Sequence, residues 1–217
     1  MLVRTWNLFH GNTSPPQRRA FLREMVQLVT DGSPDVVCLQ ELPLWALGML
    51  ERWSGMQRVS AVARRARIPF GRWPTELNHG LFRSALTGEG DAILAATRYR
   101  LSDRRQAVAS SGGLRRVVHG VRLDDRIYVA NVHISGEHAQ LAKVAEFVAD
   151  EPRVIVAGDF NLRGEGLPGF SRPLPDRSDQ ILVRGLPAGT PFAWPEDRRR
   201  VAGRLLSDHA PVELHVE

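Results

Sequence analysis

Two segments of this chain place acidic, amide and imidazole side chains directly beside apolar runs. Near the end of the chain, Ser207-Asp208-His209 leads into the largely apolar stretch 210–216. Upstream, the apolar run 154–157 breaks at a glycine and then presents Asp159 and Asn161. Short apolar runs bounded by such breaks are typical of buried strands, so both polar groups are expected at strand ends. Carboxylate, amide and imidazole groups together indicate a metal-dependent phosphate site.

The donor types favour a hard divalent ion. Glu41, Asp159 and Asp208 offer carboxylate oxygens, and Asn7 and Asn161 offer amide oxygens and hydrogen bonds. Such ligands suit Mg²⁺ or Mn²⁺, whereas zinc is disfavoured because the histidines and the single cysteine lack zinc-ligand spacing. A hard ion beside imidazoles fits phosphoester hydrolysis, since the ion neutralises phosphoryl charge while a carboxylate or histidine activates water.

Hydrophobic spacing predicts the elements that position these residues. An opening strand ends at Asn7, a helix follows around 21–29, and a buried strand over 35–39 delivers Gln40 and Glu41 at its end. A helix over 44–50 and a strand over 59–63 precede a long loop, 64–90, rich in arginine, glycine and proline. Later strands are expected over 91–96, 106–110, 114–123 and 126–135, as a meander whose last pair is a hairpin.

The remaining chain alternates helix and strand. A second amphipathic helix over 141–148 leads to the strand that ends at Asp159, and a loop over 163–177 separates it from strands over 180–183 and 211–216. This order predicts an α+β fold, a two-sheet β-sandwich flanked by α-helices, in a single domain over residues 1–217. The candidate site residues then lie at the edges of two facing sheets.

The charge balance favours a polyanionic partner. The formal net charge is +5 and the sequence pI about 10.5, which suits nucleic acid or anionic lipid headgroups. Lys143 is the only lysine, and an arginine skew can equally follow genomic base composition. The arginine clusters at 64–67, 104–105, 115–116 and 198–200 are scattered, so two interpretations stay open: a solvated surface and a phosphate-binding face.

Location and redox chemistry follow from the apolar segments. The chain begins as a strand without a signal-type apolar segment, and no stretch is apolar enough to span a bilayer, so a cytoplasmic location is expected. Cys38 lies in the apolar run 36–39, has no partner for an internal disulfide, and is expected to pack as a small hydrophobe.

Seven short motifs span nearly the whole chain in a fixed order. They are Trp6-Asn7, Leu39-Gln40-Glu41, Gly90-Asp91-Ala92-Ile93-Leu94, Asn131-Val132-His133, Gly158-Asp159-Phe160-Asn161, Asp179-Gln180-Ile181-Leu182 and Ser207-Asp208-His209. With these motifs the chain resembles the endonuclease/exonuclease/phosphatase superfamily. The resemblance implies a DNase I-like, four-layer α/β/β/α fold and metal-assisted phosphoester hydrolysis with Mg²⁺ or Mn²⁺ as cofactor.

The resemblance also implies residue roles around the metal and the attacking water. Glu41 would be the principal metal ligand, with Asn7 helping to hold the metal and the phosphate. Asp208 would assist the metal or its water network. Asp159 would orient or deprotonate the water, and Asn161 would position that water and a phosphate oxygen.

Three further residues are implied on the phosphate side. His209 would contact the scissile phosphate while Asp179 fixes its ring, and His133 would protonate the leaving group or stabilise the phosphate. Two candidates for substrate binding, His79 and Arg83, come from the long loop, where substrate contacts are often made.

One position departs from the family pattern. Several members carry a further acid two positions after the first asparagine, where this chain has Phe9 followed by His10. The departure weakens the case for a second metal ion and for abasic-site chemistry. The predicted function is hydrolysis of a phosphodiester, with nucleic acid as the favoured substrate. The alternatives are a phosphatase or phosphodiesterase of an inositol phosphate, sugar phosphate or phospholipid headgroup, and a catalytically silent module that binds nucleic acid or protein.

Overall fold

The computed structural model describes residues 1–17, 20–66, 87–110 and 114–217. Strands dominate it. They are β1 Leu2–Asn7, β2 Thr13–Ser14, β3 Val36–Leu42, β4 Gln57–Arg64, β5 Glu89–Ala95, β6 Leu101–Val108, β7 Val117–Leu123, β8 Ile127–His133, β9 Val154–Asp159, β10 Asp179–Arg184, β11 Phe192–Ala193, β12 Arg200–Val201, β13 Arg204–Leu206 and β14 Val212–His215. The α-helices are α1 Leu22–Thr30, α2 Leu44–Leu47, α3 Leu50–Ser54 and α4 His138–Phe147, and two 3-10 turns cover Phe9–Gly11 and Glu196–Arg199.

Two sheets form the centre of the molecule. The first has six strands in the order β11-β14-β1-β3-β5-β4, and the second has five in the order β10-β9-β8-β7-β6. Each contains one parallel pair: β1 beside β3, which aligns Asn7 with Gln40, and β8 beside β9, which aligns His133 with Asp159. A small third sheet joins β12, β13 and β2.

Apolar packing divides the molecule into four layers. Inward residues of both sheets, including Val3, Cys38 and Ile155, form a core between them. Helices α1 to α3 pack on the outer face of the first sheet around Trp6. Helix α4 packs on the outer face of the second through Val144. The predicted α+β sandwich with helices outside is confirmed, and Cys38 packs in the core as expected.

Strand periodicity explains why the polar residues gather at one rim. Alternate side chains point to opposite faces of a strand, so each inward series runs from apolar to polar toward the same end of the sandwich. On β1 that series ends at Asn7, on β8 at His133 and on β9 at Asp159. Strand β10 runs antiparallel to β9 and therefore begins at this rim with Asp179.

A buried polar link joins the two sheets just below the rim. Gln40 Nε2 donates to Asn131 Oδ1 at 2.7 Å and to Thr5 Oγ1 at 3.0 Å. Asn131 Nδ2 in turn donates to the carbonyl oxygens of Leu39 and Ala92, each at 3.0 Å. Buried amides are costly unless they are hydrogen-bonded, so these bonds fix the spacing of the sheets beneath the site.

Several predicted boundaries are wrong. Strand β5 lies in the first sheet between β3 and β4, so the meander contains only β6, β7 and β8. Strand β6 begins at Leu101 rather than 106, and β7 begins at Val117 rather than 114. The helix expected over 44–50 is two short helices, because α2 ends at Leu47 with Gly48 as its C-cap and α3 begins at Leu50. No helix of the described ranges is both long and apolar enough to cross a membrane.

The expected end of β3 is also corrected. Gln40 and Glu41 lie within this strand, which continues to Leu42. The pairing of β3 with β5 shifts register between Leu39 and Leu42, and Glu41 adopts a positive φ of 55°. Such a bulge re-aims a side chain without ending the strand, a feature that hydrophobic spacing does not reveal.

Candidate active site

Asp159, Asp179 and His209 meet at the rim. Asp159 ends β9, and Asp179 opens β10 directly opposite it. His209 lies in the turn before β14, with its Nδ1 2.8 Å from Asp179 Oδ2 and 3.8 Å from Asp159 Oδ2. Only the Asp179 carboxylate therefore hydrogen-bonds the ring. Asp159 accepts instead from Asn161, at 2.9 Å from the backbone N–H and 3.1 Å from Nδ2.

The surrounding charges keep the imidazole protonated. Burial opposes its charge, but the hydrogen bond with Asp179 and the negative charges of Asp179, Asp159 and Asp208 raise the pKa of His209 to about 10. Burial raises the pKa of Asp179 to about 6, although His209 counteracts that effect. At neutral pH the pair is an imidazolium that donates Nδ1–H to a carboxylate. Within the described chain Nε2 makes no hydrogen bond, and its nearest acid is Asp208 Oδ1 at 4.0 Å.

Asn7 connects this group to Glu41. Its Nδ2 lies 3.1 Å from Glu41 Oε1 and 3.0 Å from Asp159 Oδ2. Only an N–H group can bridge two carboxylates in this way, which fixes the orientation of the amide. The amide oxygen accepts the backbone N–H of Phe9 at 2.9 Å. Asn7 is therefore a donor between two acids, and its oxygen is already tied to the following turn.

Glu41 is an ionised carboxylate within a ring of donors. Besides Asn7, it has His10 Nε2 at 3.4 Å from Oε2 and His133 Nε2 at 3.6 Å from Oε1. Burial alone would raise the pKa of Glu41, but electrostatic interaction with the His10 and His133 rings and the hydrogen bond from Asn7 outweigh it and lower that pKa. Its side chain is 21% exposed, so the carboxylate reaches the surface of the rim.

His133 lies deeper and is enclosed by charge. Its side chain is 1% exposed, with Nδ1 3.4 Å from Glu89 Oε1 and 3.8 Å from Asp91 Oδ1. Arg116 Nη1 lies 3.0 Å from Nδ1 and also 3.0 Å from Glu89 Oε1. Burial opposes protonation, yet Asp91 raises the pKa of His133. The ring thus joins two acids on β5 to the Glu41 carboxylate.

The turn that carries Asp208 and His209 is tied to the first strand. Ser207 Oγ donates to the carbonyl oxygen of Asn7 at 2.7 Å and accepts the backbone N–H of His209 at 3.1 Å. Arg199 is 6% exposed and donates from Nη1 to the carbonyl oxygens of Ser207 at 2.8 Å and His209 at 3.0 Å. These bonds leave the Asp208 side chain 46% exposed.

The donor set fits a hard divalent ion near Glu41. Ligand atoms of Asp159, Asp179 and His209 lie within 4.8 Å of one another, but the His209 Nδ1 proton is engaged with Asp179, which disfavours that ring nitrogen as a ligand. Glu41 is ionised, partly exposed and oriented by an amide, which matches the oxygen ligands that Mg²⁺ and Mn²⁺ prefer. Asp208 offers a second, more exposed carboxylate.

The structure brings most of the predicted residues together. Contacts of 4.0 Å or less link eight of them in one network: Asn7, Glu41, His133, Asp159, Asn161, Asp179, Asp208 and His209. The two substrate candidates, His79 and Arg83, lie outside the described residues.

Four residues that contact Glu41 or His133 were not predicted from the sequence: His10, Glu89, Asp91 and Arg116. Asp91 lies in one of the seven motifs, to which no residue role was assigned from the sequence. A signal existed for His10, which directly follows Phe9, the position where the family acid is missing. Nothing in local spacing marks Glu89 or Arg116, because their partners are distant in sequence.

The arginine clusters do not form one unpaired face. Arg64 and Arg116 both pair with Glu89. Arg105 pairs with Glu151, and Arg199 is buried against backbone carbonyl oxygens. Several arginines of these clusters are therefore engaged in contacts within the fold.

Residues 5–209 match the family model for the Endonuclease/Exonuclease/phosphatase family. The chain belongs to this family. The resemblance inferred from the seven motifs is thereby confirmed, and the rim between the sheets is where those motifs converge.

Relatives cover the whole chain at low identity. The uncharacterized protein YbhP of Escherichia coli (strain K12) is 29% identical to this chain. The alignment covers 99% of this chain and 96% of YbhP. A functionally unknown conserved protein from Enterococcus faecalis V583 has a TM-score of 0.74 at 19% identity, covering 100% of this chain and 99% of that one. The Neisseria 3′ phosphatase NExo, bound to product DNA hairpin, has a TM-score of 0.63 at 20% identity, covering 100% and 99%. Both solved structures share the fold of this chain.

Proposed function

We propose that this protein is a Mg²⁺- or Mn²⁺-dependent phosphoesterase that hydrolyses a phosphodiester by direct attack of water. One observation carries the proposal. Asp159, which is not hydrogen-bonded by the His209 ring, lies 3.8 Å from that ring, and the ring is an imidazolium held by Asp179. A base and a cation at this separation suit water attack on an anionic phosphorus centre. No nucleophilic side chain is needed.

Asp159 is the proposed general base. It receives hydrogen bonds from Asn7 and from Asn161, which fix both oxygens without neutralising the charge. Asp159 and Asp179 are opposed on neighbouring strands, and only Asp179 hydrogen-bonds the His209 ring. Water attack forms a new P–O bond, the water proton passes to Asp159, and the ester P–O bond breaks so that the leaving oxygen departs with its electron pair and takes up a proton from solvent. Asn161, exposed at the rim, positions the water and a phosphate oxygen.

His209 is the proposed phosphate-binding cation. Asp179 fixes its ring through Nδ1, which leaves the Nε2–H group to donate to a phosphoryl oxygen as charge develops there. The raised pKa of His209 makes it a poor base at neutral pH and favours this role. His133 is proposed to act on the Glu41 carboxylate rather than on the leaving oxygen, because its Nε2 lies 3.6 Å from Glu41 Oε1.

Glu41 and Asp208 would hold the divalent ion, with Asn7 orienting Glu41. When bound, such an ion neutralises negative charge on the phosphoryl oxygens and on the leaving oxygen. The exposure of Asp208 beside the His209 ring and the partial exposure of Glu41 support a metal site at the surface of the rim.

Nucleic acid is the proposed substrate class. The net charge of +5 supports it, and so does the likeness to the Neisseria 3′ phosphatase bound to DNA. The internal pairing of Arg64, Arg105 and Arg116 instead favours the alternative, a small phosphoester such as an inositol or sugar phosphate or a lipid headgroup, because these three cations are already paired with acids. Salt separates the two: turnover of a polymer falls steeply as salt rises, and that of a small ester changes little.

The deciding experiment is hydrolysis with Mg²⁺ or Mn²⁺ of bis-p-nitrophenyl phosphate, single- and double-stranded DNA, RNA, and inositol and sugar phosphates. Asp159→Asn and His209→Ala are each expected to lower kcat by about 10²- to 10⁴-fold. Asp150→Asn and His138→Ala change exposed residues of the same types and serve as matched controls.

Three outcomes decide between the functional classes. Loss of metal-dependent turnover in both site variants, with both controls active, supports the proposal, and the best substrate names the class. Turnover that survives Asp159→Asn contradicts the proposed base. Binding of nucleic acid with no turnover of any substrate would favour a silent binding module.

A further inference from the structure

The turn after β1 has an unusual backbone. Phe9, His10 and Gly11 have φ values of 46°, 52° and 83° in succession. Two of the three are not glycine, and such residues rarely adopt this conformation unless the surrounding structure holds them there. A positive-φ run of this kind beside a candidate active site indicates that the backbone positions a side chain there.

The fold fastens this turn on both sides. The backbone N–H of Gly11 donates to Leu8 at 2.8 Å, and Phe21 donates to the carbonyl oxygen of Gly11 at 2.8 Å. A Cβ atom at Gly11 would lie 2.6 Å from Leu22 Cγ, so the turn packs closely on α1. The backbone of His10 is therefore held by helix packing.

The turn aims the His10 ring at Glu41. The side chain is 8% exposed, and Nε2 lies 3.4 Å from Glu41 Oε2, the oxygen that Asn7 does not bind. Nδ1 is buried without a hydrogen-bond partner in the described chain. An unprotonated Nδ1 and a protonated Nε2 satisfy this environment best, because a lone pair facing a carboxylate would be repelled.

We propose that His10 is a positioning residue which donates its Nε2–H to Glu41 and, together with Asn7, holds that carboxylate in the orientation that binds the divalent ion. Asn7 Nδ2 donates to Oε1 at 3.1 Å, and His10 Nε2 lies 3.4 Å from Oε2, so the two side chains face different oxygens of the carboxylate. The turn that carries His10 is also tied to Asn7, whose amide oxygen accepts the N–H of Phe9. The inference rests on the proposed function, because it takes Glu41 as a metal ligand.

Groups that orient a metal ligand commonly contribute about 10- to 100-fold to metal affinity or activity. His10 is expected to contribute at this level without contacting the substrate.

The test is Mn²⁺ binding to the purified full chain by isothermal titration calorimetry, with melting temperatures measured in parallel. His10→Ala and His10→Gly both remove the donor, and glycine also relieves the positive φ, so a fold defect in one variant does not stop the test. His10→Gln keeps an N–H donor at a reach similar to Nε2. His138→Ala, an exposed histidine, is the control.

The expected result is a Kd for Mn²⁺ raised about tenfold or more in His10→Ala and His10→Gly, with His10→Gln and the control near the wild type. In turnover, the Mn²⁺ concentration needed for half activation should rise with it, while kcat at saturating Mn²⁺ and KM for the substrate change far less. A purely structural role for His10 would not produce this split.

Unchanged Mn²⁺ affinity in a folded His10→Gly or His10→Ala variant would overturn the inference. So would equal losses in His10→Gln and His10→Ala at equal melting temperature. Failure of the proposed function looks different: the wild type itself would bind no Mn²⁺, or Glu41→Gln would leave binding unchanged.

Discussion

Asp159 and Asp179 face each other as direct cross-strand partners where β9 and β10 begin their antiparallel pairing. Two like charges at such a position repel, and the negative charge of Asp159 contributes to the raised pKa of Asp179. The protonated ring of His209 lies against both acids and relieves the repulsion. The protonation states of the three groups are therefore set together.

Replacing Asp179 with asparagine should uncouple this set. Without the carboxylate, the pKa of His209 is expected to fall from about 10 toward its ordinary value near 6.5. Because the raised pKa keeps the cation present as pH rises, the variant should lose activity at a lower pH than the wild type. NMR titration of the His209 ring and a pH–rate profile check this, and an unchanged ring pKa would contradict it.

Replacing Asn7 with aspartate puts a third acid between Glu41 and Asp159. Its carboxylate cannot donate to either neighbour, so the pKa of Glu41 is expected to rise and Mn²⁺ affinity to fall by about 10- to 100-fold. Calorimetric Mn²⁺ titrations at several pH values measure both effects. Wild-type affinity in a folded variant would show that the Asn7 bridge is dispensable.

The hydrogen bond between Gln40 and Asn131 is expected to contribute to stability, because both amides are buried and each supplies the other with a partner. Gln40→Leu or Asn131→Leu leaves the other amide buried without its partner and should cost about 1–3 kcal/mol of unfolding free energy. The double variant should cost less than the sum of the two, since fewer unpaired groups remain. Urea denaturation measures all four proteins of this cycle, and strict additivity would rule out the coupling.

His119 should make the fold acid-sensitive. Burial lowers its pKa to about 4, below the value of about 6.5 expected in the unfolded chain. Protonation therefore favours unfolding: the stability is present above pH 6.5 and is lost as pH falls toward 4. His119→Leu should flatten the dependence of the urea midpoint on pH over this range. The exposed His215→Asn control should follow the wild-type curve.

Local hydrophobic patterning predicted most of the fold and part of the candidate site. Period-two alternation placed Asn7, His133 and Asp159 at strand ends, and strand pairing brought these ends to one rim. The partner of β5 was missed because pairing across the first sheet depends on contacts distant in sequence. Hydrophobic spacing is blind to such long-range choices.

The remaining parts of the site depend on irregular backbone and tertiary charge pairs. The bulge at Glu41 and the positive φ of His10 break the regular periods on which sequence reasoning rests. Arg116 reaches Glu89 and His133 only after β5, β7 and β8 have assembled. The family motifs contain the eight residues of the network and Asp91, but not His10, Glu89 or Arg116.

The bond between Ser207 and Asn7 spans 200 positions of sequence. Strand β1 pairs with β3 on one side and with β14 on the other, so one of its edges stays open until β14 pairs with it. Before that pairing, the folding chain displays an unpaired strand edge beside apolar surface. Closure of the rim is therefore a long-range step of folding, and until it occurs the open edge is exposed to aggregation.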